Sequence, residues 1–246
     1  MDNWWHCDHT DSPRIQTCDV VRRCFQAFDA TPHVDYLLMT QRPELVRDKW
    51  PTRWVRSEHE YQEDSFDNVI LGVPVETQAD IERLVPELLK CHDLCKGLEV
   101  ICDPKEELDF TEVAFCDSHC DPLNGSYAYE DQDGLGTCYD DGPAINRIIV
   151  EGNEHPIHPD HVRSLRDQCL DANVKFNFAS WGLWAPRENC PNGLDDGKGL
   201  ENLCHYETHE GWVSGFTTAE NQHMVRVGKA KSGRLLDGQE HNGRVS

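Results

Sequence analysis

Short apolar runs alternate with helical patterns along most of the chain. Residues 17–30 place Val20, Val21, Cys24, Phe25 and Phe28 on one face at the helical period, which predicts a helix. A strand over 34–40 follows, and Pro43 suits the first turn of a further helix because its missing N–H would be unbonded there. "NVILGVPV" (68–75) is a second strand, after which Thr77 reads as an N-cap with Asp80 near the positive end of the helix dipole. In that helix Ile81, Leu84, Val85, Leu88 and Leu89 recur at the helical period, and Pro86 is expected to kink or restart it. "GLEVIC" (97–102), "NRIIVEG" (146–152) and "VKFNFAS" (174–180) predict three more strands. Pro159 opens a helix with Val162, Leu165, Cys169 and Ala172 as its apolar stripe.

Strand, helix, strand, helix means parallel strands joined by right-handed crossovers. The expected class is α/β, with five strands forming an open sheet or part of a barrel. The pattern breaks over 103–145, which is acidic, rich in Gly, Cys and Tyr, and is expected to be an insertion. From Trp181 onward periodicity is weak: "PNGLDDGKG" reads as loop, "GWVSGF" as a short strand, and the tail from Gly228 is basic. The expected organisation is a β/α domain over 1–182 and an irregular extension over 183–246.

Charge narrows the partners. The 246 residues carry a formal net charge of -22 at pH 7, with 38% hydrophobic residues. Such a surface repels phosphate and argues against broad non-specific binding to nucleic acid. The acid is spread along the chain, which favours a solvated surface over a nucleic-acid mimic. "MDNWWHCDHTDSPR" has no apolar signal stretch, and no segment reaches the roughly 18 apolar residues of a membrane helix. The expected location is the cytoplasm. There the 12 cysteines would be buried thiols or metal ligands rather than a disulfide framework.

In parallel α/β folds chemistry collects at the carboxyl ends of strands. Those ends present Thr40, Gln41 and Arg42; Glu76 and Gln78; Asp103; Glu151, Asn153 and Glu154, with His158 shortly after; and Ser180 with Trp181. This mixture suits a polar ligand. Arg42 would clamp an anion or carboxylate through two forked hydrogen bonds. Glu76 and Gln78 would bind polar ligand atoms, and Trp181 would stack on a ring. Each residue also has a purely structural reading as a cap or loop anchor.

Two cysteine groups have metal-ligand spacing. Cys116 and Cys120, with Cys138 and His119 or Cys102, could complete a tetrahedral zinc site around the insertion. Cys91 and Cys95 have similar spacing but end an apolar helix, where a thiol packs as core. Cys190, Cys204, His205 and His209 form a second group in loop-like sequence.

Several stretches resemble one protein family over nearly the whole chain. "DYLLMTQRPE" is similar to its "LLLTKRPE", and "VILGVPVETQADIE" to its "VWLGVSVEDQ" with a following "ADERIP"-like helix. "HPDHVRSLRDQC" resembles "HPDWVRSLRDQC", "FNFASWGLWAP" resembles "FFFKQWGEWAP", and "RVGKAKSGRLLDGQEHN" resembles the closing "VGKKAAGRLLDGREHN". The family is the uncharacterised phage gp-thirty-seven/gp-sixty-eight group. The resemblance implies a phage or prophage-type protein with a radical-SAM-like partial (β/α) barrel. It also implies a three-cysteine motif holding a [4Fe–4S] cluster whose open iron takes S-adenosylmethionine.

The departures bear on activity. The family's cysteine motif lies upstream of the matched region, and this chain contains no Cys-x-x-Cys. Gln41 and Ala179 stand where the family has lysines, Ser180 where it has glutamine, and Asp103 where it has glutamate. "GGESG" appears as "EGNEH" (151–155). Thr40, Arg42, Glu76, Gln78, His158 and Trp181 remain. The expectation is a truncated, divergent relative that is not catalytically competent and keeps a site for a small molecule or a protein partner. The alternatives are an active radical-SAM-type enzyme whose cluster is bound by other cysteines, and a zinc-stabilised binding protein.

Overall fold

The computed structural model describes residues 19–50, 52–55, 60–63, 65–115, 118–130, 136–139, 142–186, 205–208, 211–214, 224–226 and 228–243. Helix α1 (Asp19–Ala30) leads into strand β1 (Tyr36–Met39), a 3-10 turn (Pro43–Leu45) and the short α2 (Val46–Lys49). A hairpin of β2 (Thr52–Val55) and β3 (Glu60–Glu63) precedes the long β4 (Phe66–Val75), α3 (Gln78–Leu89) and β5 (Cys95–Cys102). Four short strands follow: β6 (Val113–Phe115), β7 (Ser118–Asp121), β8 (Ser126–Glu130) and β9 (Gly136–Tyr139). The parallel pattern then resumes with β10 (Arg147–Glu151), α4 (Pro159–Asp171) and β11 (Lys175–Ser180). The rest is β12 (Trp184–Pro186), the hairpin β13 (His205–Thr208) and β14 (Gly211–Ser214), β15 (Met224–Arg226), and the hairpin β16 (Leu235–Leu236) and β17 (Gln239–Glu240).

Five strands form one parallel sheet in the order β1-β4-β5-β10-β11. Among the described residues it does not close into a barrel. The chain divides into two compact units. The first takes the described residues up to Pro74, with Asp80–Val100 and Glu112–Asn146. The second takes Val75–Ala79, Ile101–Thr111 and the described residues from Arg147 on.

In the first unit three residues of the expected α1 face are buried and Cys24 is half-buried. Val21, Phe25 and Phe28 are core, and Phe25 meets Trp50 and Phe66 at ring-centroid distances of 4.9 and 5.0 Å. Buried Asn68 donates from Nδ2 to the carbonyls of Phe28 (2.9 Å) and Thr31 (3.1 Å), adding a second bond to each beside those from Thr31 N–H and Val34 N–H and so tying β4 to the end of α1. In β4, alternate residues Val69, Leu71 and Val73 are fully buried. Pro74 is tolerated because β1 pairs only as far as Gly72, whose carbonyl takes the Thr40 N–H. The missing N–H of Pro74 points to the same side, beyond the end of β1, where no ladder bond is lost. Helix α3 runs through Pro86 without restarting, and buries that ring with Ile81, Leu84, Val85, Leu88 and Leu89.

The expected insertion contains more order than its composition signals. β6-β7-β8-β9 form an antiparallel sheet. Its β7–β8 turn is built by Asp121 Oδ1, which accepts from the N–H groups of Leu123 (2.9 Å) and Asn124 (3.1 Å).

In the second unit α4 begins as expected. His158 is the N-cap, its Nδ1 accepting from Asp160 N–H at 3.1 Å, and Pro159 is the first helical residue. Val162, Leu165 and Cys169 form the buried stripe. Leu108, Phe110, Ile148, Val150, Phe176 and Phe178 belong to the same unit's core. The β10–β11 register shifts between Val150 and Glu151, which brings Glu151 opposite Ser180.

Candidate functional site

The loops after β10 and β11 meet backbone to backbone. Gly152 N–H donates to Ser180 O (2.9 Å), and Leu183 N–H donates to Asn153 O (2.8 Å). A Cβ on Gly152 would lie 2.5 Å from Trp181 O. Gly182 has φ +77°, and a Cβ there would lie 2.4 Å from both Asn153 O and the Gly152 carbonyl carbon. Neither position tolerates a side chain without moving the other loop.

This contact fixes Asn153, whose Nδ2 donates to Asp103 Oδ2 at 3.1 Å. Asp103 sits just past β5, its N–H bonded to Val75 O at 2.9 Å, and it is only 8% exposed. Burial pushes its carboxyl above the ordinary carboxylate value, and the negative charge of Glu76 adds to the shift. The bonds from Asn153 and the charge of His155 act in the opposite direction without cancelling it. An acid shifted this way holds a proton more readily than a solvated aspartate and can exchange hydrogen bonds with a polar ligand.

Two ion pairs belong to the same unit. Glu76 pairs with Lys105, whose N–H also donates to Glu76 O at 2.9 Å. Glu151 pairs with Lys229 at 3.0 Å. All four side chains are about half exposed. Such pairs cost little to break when a charged ligand arrives. Lys105 and Lys229 are thus two cations delivered to the strand ends from loops. Lys105 follows Asp103 by two residues, and Lys229 lies in the "VGKAK" segment; their positions were visible, but not their partners.

The other expected site residues are mostly held by the protein itself. Gln78 spends its amide on Asp109, with Nε2 donating to Asp109 O (3.0 Å) and Oε1 accepting from Asp109 N–H (2.9 Å). His158 caps α4. Trp181 is 1% exposed, meets Phe178 edge-on at 4.7 Å and donates from Nε1 to Leu235 O at 3.0 Å. It is built into the core rather than displayed for stacking. In the first unit, buried Thr40 accepts at Oγ1 from Arg42 N–H (3.0 Å), and the exposed Arg42 guanidinium pairs with Glu44 (3.1 Å). Asp103, Asn153 and Glu76 are thus brought together, whereas Gln78, His158 and Trp181 are taken up by structural partners.

The cysteine expectations divide. Cys116, Cys190, Cys204 and His209 lie outside the described residues. Cys120 is buried and in register with Tyr127 and Tyr139, whereas exposed His119 is in register with Ala128 and Cys138. Cys120 and Cys138 therefore occupy rows of opposite parity on the pleat. Among the described residues no three His, Cys, Asp or Glu are placed to hold a metal ion. Burial pushes the thiols of Cys91 and Cys169 up to about 12, and those of Cys95 and Cys102 upward as well. Cys91, Cys102 and Cys169 are buried and Cys95 is half-buried, so burial favours the neutral thiol at each of the four.

A family model described as a protein of unknown function (DUF5131) matches residues 9–244. The chain belongs to this family. No curated protein and no solved structure matches it.

Proposed function

We propose that this DUF5131 protein is of phage or prophage type, descends from a radical-SAM-like β/α barrel, and uses its strand ends to bind a polar small molecule without iron–sulfur catalysis. The Asp103–Asn153 pair carries this reading. A carboxyl buried just past a parallel strand, raised toward protonation and bonded from the next strand's loop, is costly to maintain as mere structure. The Glu76–Lys105 and Glu151–Lys229 pairs add exchangeable charges of both signs. A ligand that brings its own hydrogen-bond donors, such as an amine, polyol or nucleoside, fits this set.

Among the described residues no three Cys, His, Asp or Glu lie together as metal ligands, so this reading places no [4Fe–4S] cluster on them. No step is therefore assigned to S-adenosylmethionine.

The test has two arms. Anaerobic reconstitution with iron and sulfide should leave the protein colourless; a stable absorbance band near 400 nm with bound iron and sulfide restores the enzyme reading. Thermal-shift screening with amines, polyols and nucleosides should give at least one stabilising ligand whose effect disappears in Asp103→Asn. If no probe stabilises the protein, or the shift survives Asp103→Asn, the site is not a binding site.

A further inference from the structure

Segment 228–243 returns along the second unit and touches it at points far apart in sequence. Gly228 N–H donates to Leu183 O (3.0 Å), beside the paired loops. Lys229 reaches Glu151 (3.0 Å) at the end of β10. Leu235 O accepts from Trp181 Nε1 (3.0 Å). His241 O accepts from Phe178 N–H (2.9 Å), and Gly243 N–H donates to Phe176 O (2.8 Å), so the segment also covers the outer edge of β11.

Its middle is small: β16 and β17 have two residues each, with Leu235 39% exposed and Leu236 buried. Asp237 and Gly238, at φ +53° and +74°, form the two-residue turn between them. A hairpin this short does not hold itself. Buried Leu236 (1% exposed) anchors it from within, and charge latches its tip: the Asp237 carboxylate accepts from Arg163 Nε (3.0 Å) and Nη2 (2.7 Å) and from Arg166 Nη1 (2.8 Å). Both arginines project from α4 and are about one-fifth exposed, so water screens the contact less than at an open surface. Each also keeps a second partner on α4, Asp160 for Arg163 (2.7 Å) and Asp167 for Arg166 (2.8 Å). Losing Asp237 thus releases the segment without leaving α4 with two bare cations.

We propose that residues 228–243 form a strap that opens and closes as one piece, latched by Asp237 between Arg163 and Arg166, and that opening withdraws Lys229 from Glu151 and uncovers the β11 edge. A segment held by a single buried leucine, a handful of hydrogen bonds and two part-exposed ion-pair clusters can open locally below global unfolding. The strap's bearing on ligand access rests on the strand-end site proposed above; the latch itself is tested without a ligand, so the two can fail separately.

The test is amide hydrogen exchange in the parent, in Asp237→Asn and in Arg166→Gln. Asparagine accepts the left-handed conformation at position 237, so that variant removes the charge and keeps the turn. The strap predicts that the amides of Gly228, Phe178 and Gly243 exchange at least ten-fold faster in both variants. The α4 amides, with Ala172 N–H as reporter, should keep the parent rate. Unchanged exchange at the three strap amides overturns the proposal. So does acceleration of Phe178 and Gly243 with Gly228 unmoved, because the segment would not then open as one piece. Equal acceleration of strap and α4 overturns it too, since Asp237 would then support the whole unit.

Discussion

Gly182→Ala asks whether the two strand-end loops are held by direct backbone contact. The new methyl group would meet two penalties. At φ +77° an alanine sits in the left-handed region, which costs about 1 kcal/mol. Its Cβ would also lie 2.4 Å from Asn153 O and the Gly152 carbonyl carbon and 2.6 Å from Asn153 N, all backbone atoms that cannot rotate away. The loops would have to separate, straining the Leu183 N–H to Asn153 O and Gly152 N–H to Ser180 O bonds, each worth about 1 kcal/mol. The total is about 3 kcal/mol. Gly233→Ala is the matched control: its φ is +74°, but no atom lies within 4 Å of its Cβ, so only the conformational cost of about 1 kcal/mol remains. Urea unfolding of the parent and both variants, compared at equal m-value, reads the difference. The reasoning fails if Gly182→Ala and Gly233→Ala come within about 0.5 kcal/mol of each other, a spread ordinary for independent surface changes.

Four further expectations concern buried or paired groups. His161 is driven down to about 4, chiefly by burial and then by the neighbouring His158, so between pH 6.5 and 4 the unfolded chain binds a proton that the folded one refuses. Stability should therefore fall by up to about 3 kcal/mol as pH drops through that window and then level off, and His161→Gln should flatten the pH titration of unfolding. Asp237 is held below its ordinary value, first by the Arg163 hydrogen bond; its contribution is intact above pH 3.8 and disappears only at lower pH, so its acid step in the same titration should lie below that of His161. Asn68→Ala should cost about 1 kcal/mol by removing two hydrogen bonds to carbonyls that keep their backbone partners, and a loss under about 0.5 kcal/mol in chemical unfolding would remove Asn68 as the clasp of α1. Cys91, Cys102 and Cys169 should resist iodoacetamide in the native protein and react after unfolding, as located by mass spectrometry; rapid native labelling would contradict their buried, neutral state.

Hydrophobic period alone located α1, α3, α4 and the five strands of the parallel sheet, because burying one face of an element leaves its mark at fixed spacing. Pro159 marked the start of α4, and the strand ends marked the positions of Glu76, Asp103 and Asn153. The antiparallel β6-β7-β8-β9 sheet was not legible, since strands of three to five residues carry too few alternations to stand out. Nor did local pattern show that Gln78, His158 and Trp181 would be occupied by Asp109, Asp160 and Leu235.

What the tertiary structure alone decided is which remote groups meet. "HPDHVRSLRDQC" and "LLDGQE" are each recognisable as a string, but only folding puts Arg163 and Arg166 on Asp237. Two glycines 30 residues apart became one contact because the loops carrying them lie on neighbouring strands, and Lys229 became a strand-end cation because the strap passes Glu151. Periodicity records how each element meets solvent. Partnership across the chain depends on strand order, register and loop direction, which take definite values only when all the elements pack at once.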